Sequence, residues 1–267
     1  MLPWLLALLH IMFANFMSKL IITIIAGVIL LGGILFFTFS LYWQINVSPP
    51  QSNMERVTIT TADDIKIAGD YSGESGRPAV LLLHMMPATK ESWRDFSEKL
   101  VERGFQTLAI DLRGHGESEG GSQGYKKFSD KDHQASVKDV EAGVGFLKSK
   151  SASSISLAGA SIGANLALQY AAEHLEVSKI ILLSPGLDYR GVKTETVIGK
   201  LREGQSVYFI ASLDDPYSAD TVKVLSEMAP AHVERMVKVF ENAGHGTAIF
   251  EKESEFVDEA IDWLLSS

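Results

Sequence analysis

A serine between two glycines recurs in the pattern Gly-x-Ser-x-Gly, centred on Ser118, Ser122 and Ser161. A serine hydroxyl becomes a nucleophile when a base takes its proton, and the glycines allow a turn tight enough to expose it. Such a turn needs a strand before the serine and a helix after it. Only Ser161 has both, so we predict that it is a nucleophile, with an ordinary helix N-cap as the alternative role. Ser118 and Ser122 lie in a glycine-rich stretch and are expected to form a flexible loop.

A base for this serine is expected at the same edge of the sheet, where the loops after parallel strands gather. Of the seven histidines, His245 is the best placed, because it lies in Asn-Ala-Gly-His-Gly just past the last predicted strand. We therefore predict that His245 acts as general base and then as general acid for Ser161.

An acid that orients the histidine is expected between Ser161 and His245 in the chain. The stretch Ser-Leu-Asp-Asp-Pro follows a predicted strand and offers Asp214 and Asp215. Asp214 is preferred, because the spacing from the strand end fits it and leaves the next Asp-Pro to lead into a helix. Asp215 is the second choice and Asp188 a distant third.

The elements that must position these residues alternate along the chain. Apolar runs typical of buried strands are followed by segments with helical spacing. The predicted strands are Arg56–Thr60, Lys66–Tyr71, Ala79–His84, Thr107–Ile110, Ile155–Ala158, Lys179–Leu183, Val207–Ala211 and Val237–Phe240, and the predicted helices are Ser92–Arg103, Asp132–Ser149, Ile162–His174, Ser218–Glu227 and Glu253–Leu265. The alternation predicts an α/β fold with a mainly parallel central sheet flanked by helices.

Taken in chain order, Ser161, Asp214 and His245 resemble the catalytic triad of the α/β-hydrolase family, and the resemblance extends over residues 56–267. The stretch Asp-Leu-Arg-Gly-His-Gly-Glu-Ser that ends at Ser118 is similar to the family's D-x-R-G-x-G-x-S loop. That loop is usually structural, which implies that its histidine is not catalytic. The resemblance implies an α/β-hydrolase fold and a small serine esterase with little cap.

A second similarity concerns the segment His84-Met-Met-Pro, which stands where the family has its His-Gly-x-Pro oxyanion loop. The resemblance implies that the backbone N–H groups of Met86 and Ile162 stabilise the tetrahedral oxyanion, each contributing about 3–4 kcal/mol. Met85 replaces the customary glycine. If that position needs a positive φ, a methionine there costs about 1–2 kcal/mol and the loop is expected to shift. His84 is expected to bond locally and hold the loop.

Composition excludes several classes of protein. The net charge of −9 and a pI near 5.3 argue against nucleic-acid binding, which needs a basic surface. The absence of cysteine excludes disulfide scaffolds, thiolate zinc sites and cysteine nucleophiles. No Walker A, G-x-G-x-x-G or H-E-x-x-H motif is present, so neither a metal nor a nucleotide cofactor is expected.

The apolar excess behind the mean hydropathy of +0.11 lies in residues 1–43, where Lys19 is the only fully charged side chain. Residues 20–43 contain no Asp, Glu, Lys, Arg or His and are long enough for a tilted transmembrane helix. A cleaved signal peptide and a buried core helix are the alternatives. Residues 44–54 are a polar linker with a Pro-Pro pair, and residues 55–267 form the predicted catalytic domain, with a net charge of −10.

The orientation of this segment follows from its single lysine. With Lys19 on one side and no lysine or arginine in the linker, the N-terminus is expected in the cytoplasm and the catalytic domain outside it. The shorter apolar stretch before Lys19 spans a bilayer poorly, so we keep open that translation starts at Met17.

The substrate is the least defined feature. Residues 185–206 number only 22, too few for a folded cap, which predicts an open or shallow site. In this stretch Leu187, Tyr189, Val197 and Ile198 line an acyl pocket or belong to a surface helix. We predict a membrane-anchored serine hydrolase that cleaves small carboxylic esters through an acyl-enzyme, with the bilayer as its other partner. A thioesterase, a peptidase, or a non-catalytic binding protein on this fold are the alternatives.

Overall fold

The computed structural model describes residues 54–266 together with the isolated positions 17, 27, 32, 33 and 37. The predicted anchor, the linker apart from its last residue, and the question of the translation start therefore lie outside the described residues. Within the described part of the chain, no helix combines the length and the apolar character needed to cross a membrane. The described residues 54–266 lie within one compact unit.

The central sheet has inner strands whose apolar runs are buried on both faces and edge strands that are largely exposed. The strands are β1 Glu55–Thr60, β2 Lys66–Ser72, β3 Ala79–Leu83, β4 Gln106–Ile110, β5 Ile155–Ala160, β6 Val177–Leu183, β7 Asp188–Tyr189, β8 Val192–Lys193, β9 Ser206–Ser212 and β10 Glu234–Phe240. Within residues 54–266, eight of them pair in the order β1-β2-β4-β3-β5-β6-β9-β10. The pairs of β2 with β1 and β4 are antiparallel and the other pairs are parallel, which confirms the predicted mainly parallel sheet.

Helices connect the parallel strands and cover both faces of the sheet. They are α1 Arg94–Glu102, α2 Asp130–Gln134, α3 Val137–Ser149, α4 Ile162–Glu173, α5 Glu195–Ile198, α6 Pro216–Met228, α7 Ala248–Lys252 and α8 Ser254–Leu265, and single 3-10 turns occur at Lys90–Trp93 and Gly124–Lys127. Buried side chains of α3, α4 and α6 form the core on one face, and those of α1 and α8 form the core on the other.

Strand β3 illustrates how one strand serves both cores. Its side chains alternate, so that Leu81 and Leu83 pack on the side of α3 and α4, and Val80 and Leu82 pack on the side of α1 and α8. All four side chains are fully buried. An uninterrupted apolar run is what a strand covered on both faces requires.

Two differences from the sequence prediction concern the connections around the sheet. The single helix predicted over 132–149 is wrong, because Ser129 caps α2 through a capping box with Asp132 and the chain then turns at Ala135 before α3 begins. The segment between β6 and β9 holds the two-stranded hairpin β7–β8, which pairs Asp188 with Lys193, as well as the short helix α5. Strands of two residues are too short to give a periodic signal in the sequence.

Candidate active site

The turn from β5 into α4, residues 159–163, is called the Ser161 turn. Ser161 has φ 55° and ψ −120°, a backbone conformation that L-residues avoid unless the surroundings impose it. A Cβ at Gly159 would lie 2.2 Å from the carbonyl oxygen of Gly163, and one at Gly163 would lie 2.3 Å from that of Leu83. Both glycines are therefore required for α4 to start this close to the sheet, as the motif predicts.

His245 lies in the loop after β10, with 38% of its side chain exposed. Its Nδ1–H donates to Oδ2 of Asp215 at 2.6 Å. The loops after β9 and β10 are adjacent because these strands pair in parallel, with Ser212 opposite Phe240. This hydrogen bond leaves Nε2 of His245 as the ring nitrogen available to take a proton.

The sequence preference for Asp214 as the residue that contacts the histidine is wrong, since Asp215, the second choice, makes that contact. The carboxylate of Asp214 instead accepts the backbone N–H of Gly244 at 3.0 Å and the hydroxyl of Ser212. Bonds from Ser212 and Gly244 lower the pKa of Asp214. The physical reason is that β9 runs to Ser212, one residue past its predicted end, so the acid also moves one residue along the chain.

Ser184, which directly follows β6, connects the two halves of the site. Its hydroxyl accepts the backbone N–H of Gly246 at 2.9 Å, next to His245. The backbone N–H of Ser161 in turn donates to the carbonyl of Leu183 at 2.8 Å. Sequence reasoning passed over Ser184, although a buried serine at the carboxyl end of an apolar strand is a polar group that needs partners.

The oxyanion-loop segment contains the local bonds expected of His84. Its Nδ1–H donates to the carbonyl of Met85 at 2.9 Å, and Nε2 accepts the N–H of Leu112 at 2.9 Å. Burial lowers the pKa of His84 to about 4, so the ring is neutral near pH 7. Within residues 54–266, the backbone N–H groups of Met86 and Ile162 have no hydrogen-bond acceptor, as groups reserved for an oxyanion would require.

The condition for strain at Met85, a positive φ, is not met. Among the described residues, the non-glycine positions with positive φ are Asp64, Ser151, Ser161, Ser184 and Arg190. Met85 is not one of them, so a side chain is accommodated there without that cost. Its sulfur instead packs against Gly246, where an added Cβ would lie 2.4 Å from it.

The glycine-rich segment after β4, residues 111–120, is called the Asp111 loop, and it is built around a buried ion pair. Nζ of Lys90 contacts Asp111 at 2.8 Å and Glu117 at 2.9 Å. Burial lowers the pKa of Lys90, but bonds from these carboxylates outweigh it and hold the pKa above the usual lysine value. His115 stacks on Tyr125, with 4.2 Å between ring centroids. His115 is thus built into the loop, in line with the structural role that the resemblance implies.

Ser118 is held in the same loop rather than being flexible. Its hydroxyl donates to the carbonyl of Asp111 at 2.6 Å and accepts the N–H of Ala68 at 2.8 Å. Both the donor and the acceptor function of this hydroxyl are therefore used within the fold, and the hydroxyl is not available as a nucleophile. Ser122 is an exposed loop residue.

Of the predicted pocket residues between β6 and β9, only Tyr189 borders the candidate site. Its ring stands at 89° to the ring of His245, with 6.4 Å between centroids. Ile198 is fully buried in the core, and Leu187 and Val197 pack against that core. Asp188, the third choice for the acid, accepts the N–H of Gly191 within its own hairpin. No group of three His, Asp or Glu side chains suited to a metal occurs within the described residues.

The family model described as serine aminopeptidase, S33, matches residues 74–212, slightly more than half of the chain and the part that includes the Ser161 turn. The chain belongs to the α/β-hydrolase family. This α/β hydrolase is 29% identical over 164 residues to AB hydrolase superfamily protein YisY of Bacillus subtilis, covering 61% of this chain and 56% of that protein. It therefore spans about half the length of the curated relatives it matches.

Solved structures share the fold of this α/β hydrolase. The esterase Pf2001 of Pyrococcus furiosus has a TM-score of 0.65 at 18% identity, covering 80% of this chain and 90% of that one. Dienelactone hydrolase from Anabaena variabilis has a TM-score of 0.67 at 19% identity, covering 82% of this chain and 98% of that one. At these identities the likeness concerns the fold alone.

Proposed function

We propose that this hydrolase cleaves carboxylic esters of small molecules through a serine nucleophile. Ser161 is the nucleophile, His245 the general base and acid, and Asp215 the carboxylate that orients the histidine. The observation that carries the proposal is the 2.6 Å bond between His245 and Asp215, in loops at the sheet edge where the strained Ser161 turn also ends. A strained residue at such an edge indicates a functional site.

The reaction proceeds in two halves. Oγ of Ser161 attacks the ester carbonyl carbon while Nε2 of His245 takes its proton, and the resulting oxyanion accepts hydrogen bonds from the N–H groups of Met86 and Ile162. The bond to the alcohol oxygen then breaks, and His245 gives its proton to that oxygen. In the second half His245 deprotonates a water, whose oxygen attacks the acyl carbon; the acyl–Oγ bond then breaks, the acid leaves, and His245 returns the proton to Oγ of Ser161. Asp215 stabilises the imidazolium that forms in each half.

A peptidase on the same three residues is the second candidate, and the description of the matching family as serine aminopeptidase favours it. An amide differs from an ester mainly in its poorer leaving group, so both reactions use the same nucleophile and base. A thioester substrate would use them as well. A non-catalytic binding protein on this fold would use none of them.

Labelling with a fluorophosphonate probe tests the serine assignment, with Ser161→Ala as the loss variant and Ser118→Ala as the matched control. We expect labelling of the wild type and of the control, and none of Ser161→Ala. If the folded wild type is not labelled, the proposal that this protein is a serine hydrolase is refuted. A panel of p-nitrophenyl esters of increasing acyl length, a thioester and aminoacyl p-nitroanilides then separates the esterase from its alternatives.

We also propose that residues 20–43 anchor the chain in a membrane as a single span, with the N-terminus in the cytoplasm and the catalytic domain outside it. The sequence supports this, since the segment has no acidic or basic side chain and Lys19 precedes it. The full chain should stay with membranes after carbonate washing, and protease added outside should digest the catalytic domain. Leu30→Arg with Leu31→Arg should weaken the anchoring, since each arginine costs about 2.5–3.5 kcal/mol at mid-span. Full release of the wild type by carbonate would refute the anchor.

A further inference from the structure

The hairpin β7–β8 is fixed to α4, the helix that follows Ser161. Asn165, fully buried one turn into α4, donates its side-chain amide to the carbonyls of Gly186 at 2.9 Å and Val192 at 2.7 Å. The N–H of Gly186 donates back to Oδ1 of Asn165 at 3.0 Å. A buried amide with three satisfied bonds holds its partners in one geometry. Gly186 and the hairpin after it therefore have a fixed position relative to the Ser161 turn.

Two tyrosine rings, those of Tyr189 and Tyr217, close over Gly186, and the pair is called the tyrosine wall. An added Cβ at Gly186 would lie 2.6 Å from the ring of Tyr189 and 2.8 Å from that of Tyr217. The rings stand at 73° to each other with 5.6 Å between centroids, an edge-to-face arrangement that aromatic pairs favour. A side chain at position 186 would push the two rings apart, so the glycine is required for the wall.

The hydroxyl groups of the wall are bonded within the fold. That of Tyr189 lies 3.2 Å from Oγ of Ser218. That of Tyr217 accepts the N–H of Asp188 at 3.1 Å and donates to the carbonyl of the same residue at 3.3 Å. Each ring is thus held by its hydroxyl end and offers carbon surface to a ligand. Tyr217 is 46% exposed, so part of this surface is open to a ligand.

The tyrosine wall begins at the proposed general base. The ring of Tyr189 stands at 89° to the ring of His245, with 6.4 Å between centroids, and Tyr217 packs on Tyr189. In the proposed reaction His245 returns its proton to the oxygen of the leaving alcohol, so the alcohol part of the ester must lie next to this histidine. A wall that begins at His245 is therefore placed to contact the alcohol part.

Resting on the proposed function, we propose that the tyrosine wall is a subsite for the leaving alcohol and selects esters of apolar, aryl-bearing alcohols. Contact between an apolar group and the rings removes both surfaces from water, which favours binding. A polar alcohol of similar basicity gains less, because it gives up hydration at the wall. The wall acts on acylation, since the alcohol has left before the acyl-enzyme is hydrolysed.

Tyr217→Ala tests the proposal, with Met228→Ala as the matched control, because Met228 is an exposed apolar residue at the other end of α6. The measurement is kcat/KM for benzyl acetate divided by kcat/KM for 2-methoxyethyl acetate, two esters with the same acyl group and alcohols of similar basicity. We expect Tyr217→Ala to lower this ratio about 3- to 10-fold, the usual effect of one aromatic contact. Tyr217→Phe, which keeps the ring, and Met228→Ala should keep the wild-type ratio.

The acyl preference distinguishes the two sides of the ester. The ratio of kcat/KM for ethyl butyrate to kcat/KM for ethyl acetate should be the same in the wild type and in Tyr217→Ala, because these esters differ only in acyl length. A changed acyl preference with an unchanged alcohol preference would assign the wall to the acyl side and overturn the proposal.

Acetyl transfer by the wild type tests the subsite without any variant, and it decides where Tyr217→Ala does not fold. The acetyl-enzyme formed from p-nitrophenyl acetate is offered an added alcohol in competition with water. His245 takes the proton of the alcohol, whose oxygen attacks the acetyl carbon; the bond to Oγ of Ser161 then breaks, and Oγ receives the proton. At equal concentrations benzyl alcohol should capture about 3- to 10-fold more acetyl groups than 2-methoxyethanol. Equal or smaller capture would overturn the subsite.

The outcomes separate this proposal from the function it rests on. If fluorophosphonate labels the wild type but Tyr217→Ala keeps the wild-type alcohol ratio, the subsite is overturned and the serine hydrolase stands. The same holds for a labelled wild type that cleaves neither acetate. If the folded wild type is not labelled, both proposals fall.

Discussion

Two loops of this hydrolase carry the same Gly-x-Ser-x-Gly pattern and use it in opposite ways. In the Asp111 loop the hydroxyl of Ser118 has both a backbone donor and a backbone acceptor. In the Ser161 turn no backbone group of residues 54–266 bonds the serine hydroxyl, while the backbone itself is held at φ 55°. One loop uses its serine to stabilise the fold, and the other keeps a hydroxyl available at a cost in backbone strain.

The glycines differ as much as the serines. In the Ser161 turn they allow backbone to approach backbone, as between Gly163 and Leu83. In the Asp111 loop Gly116 leaves room for a carboxylate, since an added Cβ there would lie 2.2 Å from Oδ2 of Asp111. A short motif therefore reports tight packing in both places. What is packed against it differs between the two loops, backbone in the Ser161 turn and a carboxylate in the Asp111 loop.

The largest expected effect is that of a substitution in the Ser161 turn. Ser161→Ala should reduce kcat/KM for an ester by about 10⁴-fold or more, because the nucleophile is lost. Its melting temperature should change little, since no backbone group depends on this hydroxyl. Steady-state kinetics and thermal unfolding measured on one preparation check both expectations. Activity within tenfold of the wild type would contradict the assignment of the nucleophile.

The paired carboxylates after β9 give the next effect. Asp215→Asn should lower kcat by about 10² to 10⁴-fold, because the histidine loses the group that fixes its tautomer and stabilises its charge. Asp214→Asn should cost about tenfold or less, since an amide oxygen still accepts the N–H of Gly244. The kcat values of the two variants on one ester are the measurement. A larger loss for Asp214→Asn would reverse the assignment of the acid.

On the structural side, Ser118→Ala should lower the free energy of unfolding by about 1–3 kcal/mol, because it leaves the partly buried N–H of Ala68 and the buried carbonyl of Asp111 without this partner. Urea unfolding followed by circular dichroism measures this loss. Activity per folded molecule should stay within about twofold of the wild type. A stable but inactive variant would show that the Asp111 loop takes part in chemistry.

The smallest effect concerns pH. Arg113 of the Asp111 loop donates to the carboxylate of Asp63 at 2.9 and 3.0 Å, and these bonds lower the pKa of Asp63. A carboxyl with a depressed folded-state pKa stabilises the protein above its ordinary value of about 3.9, and that contribution is lost as the pH falls through the folded-state value. The stability difference between the wild type and Asp63→Asn should therefore be largest near pH 7 and shrink below about pH 4. A difference that does not change down to pH 2 would exclude this ion pair as its source.

Much of the scaffold could be read from local patterns. The buried strands are recognisable in the sequence as apolar runs. The edge strand β10 is predicted too short, because its first residues, Glu234 and Arg235, are charged and exposed. The Ser161 turn was predictable because the small residues around it are a local requirement of a tight strand-to-helix turn. His245 was predictable because it follows the last strand, and parallel strands end at one edge.

The choices left open depended on contacts between distant segments. Whether Asp214 or Asp215 meets His245 depends on a loop 30 residues further along the chain. Whether Met85 is strained depends on the path of its backbone. Gly246, against which its side chain packs, is distant from it in the sequence. No pattern within a few residues of either position carries that information.

By itself, then, the sequence determined the α/β architecture and two of the candidate residues, Ser161 and His245, because periodicity and glycine spacing are properties of neighbouring residues. Only the tertiary structure decided that Asp215 is the acid against the histidine, that Ser118 is structural, and that the ring of Tyr189 stands against His245. A step of one residue turns a side chain to a different neighbour. Which residue that side chain then contacts depends on how the strands pair and which loops they bring side by side.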